Sequence, residues 1–211
     1  MEPFLRAYYE HFKYQSIDSY QFKEYFLNYF KDHDQDKLSS IEWDKWFKEP
    51  GMPLYKPHYD QSLAQTCNSL RQKWVEWKEN QEPTCPFTTS QDFDTLSSDQ
   101  KIEFLGQLIE EEQALSIDKL KKMEELYQLS SYNNSEIKFN WIRLGLKGKW
   151  SDAVPRAVAM VTEQGRMKYL RPIYRDLFNW EDTKKVALET FEKNKSCMMH
   201  VAVQGLENDL K

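Results

Sequence analysis

Residues 97–127 read SSDQKIEFLGQLIEEEQALSIDKLKKMEELY, and they decide the fold class. Ser97 and Gln100 stand three apart, the spacing at which a serine hydroxyl and a glutamine side chain satisfy each other's backbone amides at a helix start. Behind them Ile102, Leu105, Leu108 and Ile109 recur at helical intervals and predict one apolar face. Ser116 repeats the start signal ahead of Ile117, Leu120, Met123 and Tyr127. Only a few polar residues separate the two patterns, which is room for a turn and little else. Short helices joined by such turns suggest antiparallel pairs stacked in an array.

The same grammar extends toward the C-terminus. Asn134 or Ser135 precedes Ile137, Trp141 and Leu144. Ser151 opens a segment with Val154, Ala157, Val158 and Val161, where Pro155 is tolerated because first-turn amides lack partners anyway. Further helices are predicted near 172–178, 180–194 and 196–209. In the other direction, residues 60–78 place Leu63, Leu70, Trp74 and Trp77 on a stripe, followed by a polar, proline-containing loop at 80–95. Aromatic-rich helices are predicted at 2–14, at 18–31 behind Asp18 or Ser19, and around 39–47.

No convincing strand is present, and 6 glycines are too few for a β-rich or glycine-loop architecture. The expected fold is all-α, with stacked antiparallel helix pairs in a layered or superhelical array. No strict internal period supports a named repeat. Pro50-Gly51-Met52-Pro53-Leu54-Tyr55-Lys56-Pro57 interrupts the pattern, because three prolines in eight residues forbid a helix and stiffen the chain. The boundary therefore falls there, giving segments 1–48, 49–59 and 60–211.

Composition narrows the function classes. Abundant aromatic residues argue against disorder, although 30% of the chain is charged. No apolar run approaches the roughly 18 residues of a membrane span, and Met1-Glu2-Pro3-Phe4 does not look like a secretory signal. Cys67, Cys85 and Cys197 are odd in number, scattered and without a C-x-x-C pair, which reads as reduced thiols in a cytoplasmic protein. The net charge of −5 conceals an asymmetry: residues 137–175 carry nine Lys or Arg against Asp152 and Glu163 alone. That stretch is either a solvated surface or a local attraction for an anion. Overall acidity and the lack of a nucleic-acid motif argue against nucleic acid as the partner.

Catalytic motifs are missing. His11, His33, His58 and His200 are isolated, so no zinc ligand set is offered. Asp32-His33-Asp34-Gln35-Asp36 resembles the opening of a calcium loop, but Lys37 stands where glycine is needed and Trp43 where a bidentate Glu belongs. Asn133-Asn134-Ser135 matches a glycosylation acceptor and reads better as a helix cap. No phosphate-cradling loop and no activated nucleophile is recognisable. The remaining candidate is Glu163-Gln164-Gly165-Arg166-Met167-Lys168-Tyr169-Leu170-Arg171-Pro172. Gly165 suits a left-handed residue after the preceding helix, and Pro172 suits an early position in the next. Arg166 and Lys168 would then share a connector in which both side chains can converge. Two readings stay open here: charge complementation of a helix end, or paired recognition of one carboxylate.

Several blocks together resemble the leukotriene A4 hydrolase and aminopeptidase B family of zinc aminopeptidases. They are Pro3-Phe4-Leu5-Arg6-Ala7-Tyr8, Pro50-Gly51-Met52-Pro53 with Lys56-Pro57, Asn133-Asn134-Ser135-Glu136-Ile137 with Trp141, and Thr162 through Lys168. The resemblance implies that 1–48 are closing helices of a truncated thermolysin-like catalytic domain. It implies that 49–59 leads into a helical C-terminal domain with an armadillo- or HEAT-like right-handed arrangement. It also implies that Arg166 binds the carboxylate of a peptide or fatty-acid substrate, with Lys168 assisting and Gly165 forming the turn. The zinc, its ligands and the catalytic glutamate would belong to an upstream catalytic domain, so this chain is expected to hold no cofactor and to catalyse nothing alone. The alternative is a free-standing helical scaffold that binds a protein partner.

Overall fold

The computed structural model describes residues 1–33, 35–78 and 89–211, and it divides into two compact units, Met1–Tyr59 and Asp60–Lys211. Among the described residues every regular element is a helix, and none is long and apolar enough to cross a membrane.

The first unit holds α1 (Glu2–Phe12), α2 (Ser19–Tyr29), α3 (Gln35–Ser39) and α4 (Trp43–Lys48). Asp18 starts α2 by accepting from the amides of Tyr20 and Gln21 at 2.9 and 2.8 Å, while the Gln21 side chain accepts from the Asp18 amide at 2.9 Å. Phe4 is the buried side chain here. Phe26, Tyr29 and Phe30 surround it with ring centroids 5.2–5.3 Å away, within the range of favourable aromatic pairs. The acidic stretch after α2 runs into the short helix α3, and Asp34 lies outside the described residues.

The second unit continues with α5 (Ser62–Glu76), α6 (Gln91–Asp94), α7 (Ser98–Glu110), α8 (Ile117–Tyr127), α9 (Ser135–Lys147), α10 (Ala153–Glu163), α11 (Met167–Asn179), α12 (Glu181–Asn194) and α13 (His200–Asp209). Most of the loop expected over 80–95, Cys85 included, lies outside the described residues. Its end carries α6, which the sequence pattern misses, and Phe93 within it is fully buried against Tyr127 at a 4.4 Å stacking distance. Ser97 and Gln100 form the reciprocal cap that opens α7. Helices α5, α7, α9, α11 and α13 each pack on the next of the series, while α10 lies against α9 and α11 and α12 against α10 and α11.

Helix α9 stands at the centre because it is buried on two faces. Ile137, Trp141 and Leu144 enter a core with Cys67, Trp74, Phe93 and Tyr127, whereas Phe139, Ile142 and Leu146 enter a second core with Tyr169, Ile173, Tyr174 and Phe191. Each set recurs at three- and four-residue steps, so the two stripes run along different sides of one helix. Lysines tie the layers together: Lys147 Nζ donates to the carbonyl of Ile109 at 2.6 Å and to that of Glu111, covering the otherwise unpaired C-terminal end of α7.

Two expected boundaries are corrected. Asp152, not Ser151, precedes α10, and its side chain makes no capping bond. α11 starts at Met167, so Pro172 sits inside the helix rather than near its beginning. An interior proline forfeits an amide bond and costs about 3 kcal/mol. Flanking it, Leu170, Ile173, Tyr174 and Leu177 are fully buried, at about 1.5–3 kcal/mol for a buried aliphatic or aromatic side chain. Burial wins, and the helix runs through.

Candidate functional site

The segment Gln164–Arg166 links α10 to α11 and is extended rather than tightly turned. Gln164 has φ −112° and ψ 120°, and Arg166 has φ −75° and ψ 125°. Gly165 does not adopt the left-handed conformation expected of it; Gly51 is the glycine with positive φ among the described residues. The physical reason is that the chain leaves α10 outward through Gln164 and never folds back on the helix end. A Cβ at Gly165 would meet nothing within 4 Å.

Arg166 is the cap residue of α11, while Lys168 is already the second residue inside that helix, so the two do not share a connector as predicted. They nevertheless converge. The Arg166 guanidinium lies 5.6 Å and Lys168 Nζ 5.7 Å from the centroid of the Tyr169 ring. A cation over an aromatic face is attracted by the ring quadrupole, and one tyrosine here gathers both.

Their pairing differs. Lys168 Nζ sits 2.5 Å from Glu136 Oε1, and the Tyr169 hydroxyl donates to the same oxygen at 2.8 Å. Arg166 is exposed, and among the described residues its guanidinium has no hydrogen-bond or ion-pair partner. Glu136 is fixed at the start of α9, where its own amide donates to the Asn134 side chain at 2.9 Å. Its carboxyl is held below the usual range chiefly by the Lys168 hydrogen bond, against burial, with help from Tyr169 and from the Arg166 charge. The Tyr169 hydroxyl is pushed up by its bond to that carboxylate and by burial. Two cations against one carboxylate leave a positive charge at the N-terminal end of α11, where the helix dipole adds to it. This arrangement can hold an anion in two-pronged fashion; it contains no nucleophile.

Glu136 and Tyr169 escape the sequence reading, although a signal exists for each. Glu136 stands one position ahead of the basic stretch 137–175, inside the Asn133–Ile137 block, and Tyr169 directly follows Lys168. Elsewhere, burial pushes the Cys67 thiol up, which disfavours the reactive thiolate. Among the described residues no group of three His, Cys, Asp or Glu is placed to hold a metal ion.

The family model described as leukotriene A4 hydrolase, C-terminal, matches residues 96–210. The chain belongs to the leukotriene A4 hydrolase family. Leukotriene A-4 hydrolase of Xenopus laevis is 41% identical over 207 residues, which is 98% of this chain and 33% of that protein. Leucine aminopeptidase 2 of Ajellomyces capsulatus is 35% identical over 208 residues, 97% of this chain and 32% of that protein. A yeast leukotriene A4 hydrolase solved in complex with bestatin superposes with a TM-score of 0.83 at 26% identity, covering 99% of this chain and 35% of its own. The chain thus spans about a third of the length of these relatives, and residues 96–210 of its all-helical second unit match the family's C-terminal domain.

Proposed function

We propose that this chain is the substrate-binding C-terminal part of a zinc aminopeptidase or epoxide hydrolase of the leukotriene A4 hydrolase family. In this reading residues 1–48 close a catalytic domain that supplies the zinc and lies upstream, and 49–59 connect it to the helical domain. Arg166, at the end of the extended Gly165 segment, anchors the substrate carboxylate, and Lys168 in the first turn of α11 is secondary. The substrate is a peptide or a fatty-acid carboxylate, and the setting is cytoplasmic. The observation that carries this proposal is the contrast between the two cations. Lys168 is already neutralised by Glu136, whereas Arg166 keeps an exposed guanidinium with its hydrogen-bonding edge uncommitted. Arginine's planar fork matches a carboxylate, while an ammonium is a point charge.

The test is kinetic, in an active polypeptide that carries this chain as its C-terminal part. A hydrogen bond to a charged group is worth about 1.5–3 kcal/mol, so Arg166→Ala lowers kcat/KM for substrates with a free carboxylate by roughly 10- to 150-fold. Arg166→Lys recovers part of the loss, and Lys168→Ala costs less because its charge is already paired. An uncharged aminoacyl anilide is the internal control, since it has no carboxylate to hold. Equal loss on both substrate types with the fold intact makes Arg166 a structural residue and ends the proposal.

A further inference from the structure

A cavity of about 170 Å³ lies between α9 and α10, beside the turn Leu129–Ser131. Trp141, Ile142 and Met160 supply apolar lining, and Arg156, Lys138 and Glu163 supply the charges. Arg166 is not among the residues that line it, so this is a different place from the end of α11. An apolar cavity of about 150 Å³ is enough for a benzene ring, so the space admits one ring or a short branched chain.

Arg156 makes the cavity more than a packing gap. Its guanidinium has no hydrogen-bond or ion-pair partner among the described residues, and its Nη1 is withdrawn from solvent. Its guanidinium lies over the Trp150 ring at 5.5 Å, which supports the charge but satisfies no N–H. Neither Arg156 nor Lys138 has an ion-pair partner among the described residues. Both are half-buried, and charged donors drawn partly out of water are normally paired, because leaving one unpaired forfeits hydration without return. Glu163, the one carboxylate of the lining, is exposed and leaves the two cations in excess. On the apolar side, Trp141 has its Nε1 committed to Ser130 Oγ at 3.2 Å, so it offers ring surface rather than a donor. The Met160 thioether adds a soft contact suited to an aromatic body.

We propose that this cavity binds a small monocarboxylate with an apolar body, its carboxylate on Arg156 and its body against Trp141, Ile142 and Met160. The site is independent of the anchor proposed for Arg166.

The experiment titrates the 211-residue chain with 3-phenylpropionate and, separately, with the neutral 3-phenylpropionamide, following tryptophan indole N–H signals by two-dimensional NMR. The acid shifts the Trp141 signal saturably, and the amide binds at least about ten-fold more weakly, a difference of about 1.4 kcal/mol. Arg156→Leu brings the acid down to the amide's affinity. Arg156→Gln, which keeps a polar side chain, does the same and covers the case in which leucine disturbs the fold. Equal binding of acid and amide, or no saturable shift at Trp141, overturns the proposal. So does a preference for the acid that survives both Arg156 variants. If Arg166→Ala removes that preference instead, the probe is held at the end of α11 and the cavity is not its site.

Discussion

Gly165 and Gly145 respond in opposite ways to an added methyl group, and the difference separates family pattern from physical need. A Cβ at Gly165 meets nothing within 4 Å and the backbone there is not left-handed, so alanine is accommodated. Replacing glycine at a compatible position trims unfolded-state entropy and stabilises by about 0.4–1 kcal/mol. Gly145 on α9 is the reverse: its Cβ would stand 2.7 Å from Ala153 Cβ and 3.5 Å from the Trp150 ring. Gly145→Ala therefore pushes α10 off α9 and costs about 1–3 kcal/mol, a fall in Tm of roughly 2–12 °C for a chain this size. Thermal unfolding of the two variants checks both signs; a destabilised Gly165→Ala with an unchanged Gly145→Ala contradicts the argument. In the sequence, Gly165 draws notice because it ends an apolar pattern, while Gly145 sits unmarked inside one. Arg166 and Lys168 are legible from charge, spacing and motif. Glu136, the partner of Lys168, is marked only by its place in the Asn133–Ile137 block, because a contact made from another helix leaves no local periodicity.

At the scale of elements, a single carboxylate fastens α13 to α11. Asp209 accepts from Arg171 Nε and Nη2 at 2.7 and 2.8 Å and from Arg175 Nη2 at 2.6 Å. The two arginines are four apart on α11 and so project from the same face. The Arg171 hydrogen bonds chiefly, opposed by burial and reinforced by Arg175, hold the Asp209 carboxyl at about 2, against an ordinary 3.8. A depressed carboxylate pKa contributes stability that is complete above the unfolded value and is lost as pH falls through the folded one. The contribution of Asp209 is therefore intact above pH 3.8 and disappears between 3.8 and about 2. Asp209→Asn should cost about 2 kcal/mol at neutral pH and should flatten the stability curve across that acid window. Denaturant unfolding at pH 7 and along the acid limb measures it; a variant whose acid limb still matches the parent's shows that another carboxylate carries the transition. The capped starts of α2, α7, α8 and α9 are legible because the capping side chain lies within three residues of the amide it serves. α6 is not, since a four-residue helix offers no periodicity, and Pro172 misleads because local chemistry says stop while the second core says continue. For α9 the sequence shows one apolar stripe plainly; the second stripe is recognised only once a second core exists to receive it.

The two units of the molecule rest on very different reserves of buried surface. Residues 60–211 enclose two apolar cores, one built around Trp74, Phe93 and Leu120 and the other around Leu170, Tyr174 and Leu206. Residues 1–59 have Phe4 as their buried hydrophobe, while Tyr9, Tyr14, Tyr20 and Trp46 are exposed. Small domains bury a smaller share of their surface and are correspondingly marginal, and many solvent-facing aromatics on short helices intensify that shortfall. Net stability is a small remainder of large opposing terms, so a segment with little apolar burial opens locally while its neighbour stays closed. Limited proteolysis of the isolated chain should therefore cut first within 1–59 and release a resistant product close to 60–211. Hydrogen exchange should match, with α7, α9 and α11 protected far longer than α1 and α2. The prediction concerns each unit's own burial, so it needs no assumption about how one lies against the other. A protease that cuts first inside 98–179 and leaves 1–48 whole would show that the aromatic helices are the stronger unit. The Phe4 cluster would then have to supply a stability that its exposed neighbours argue against.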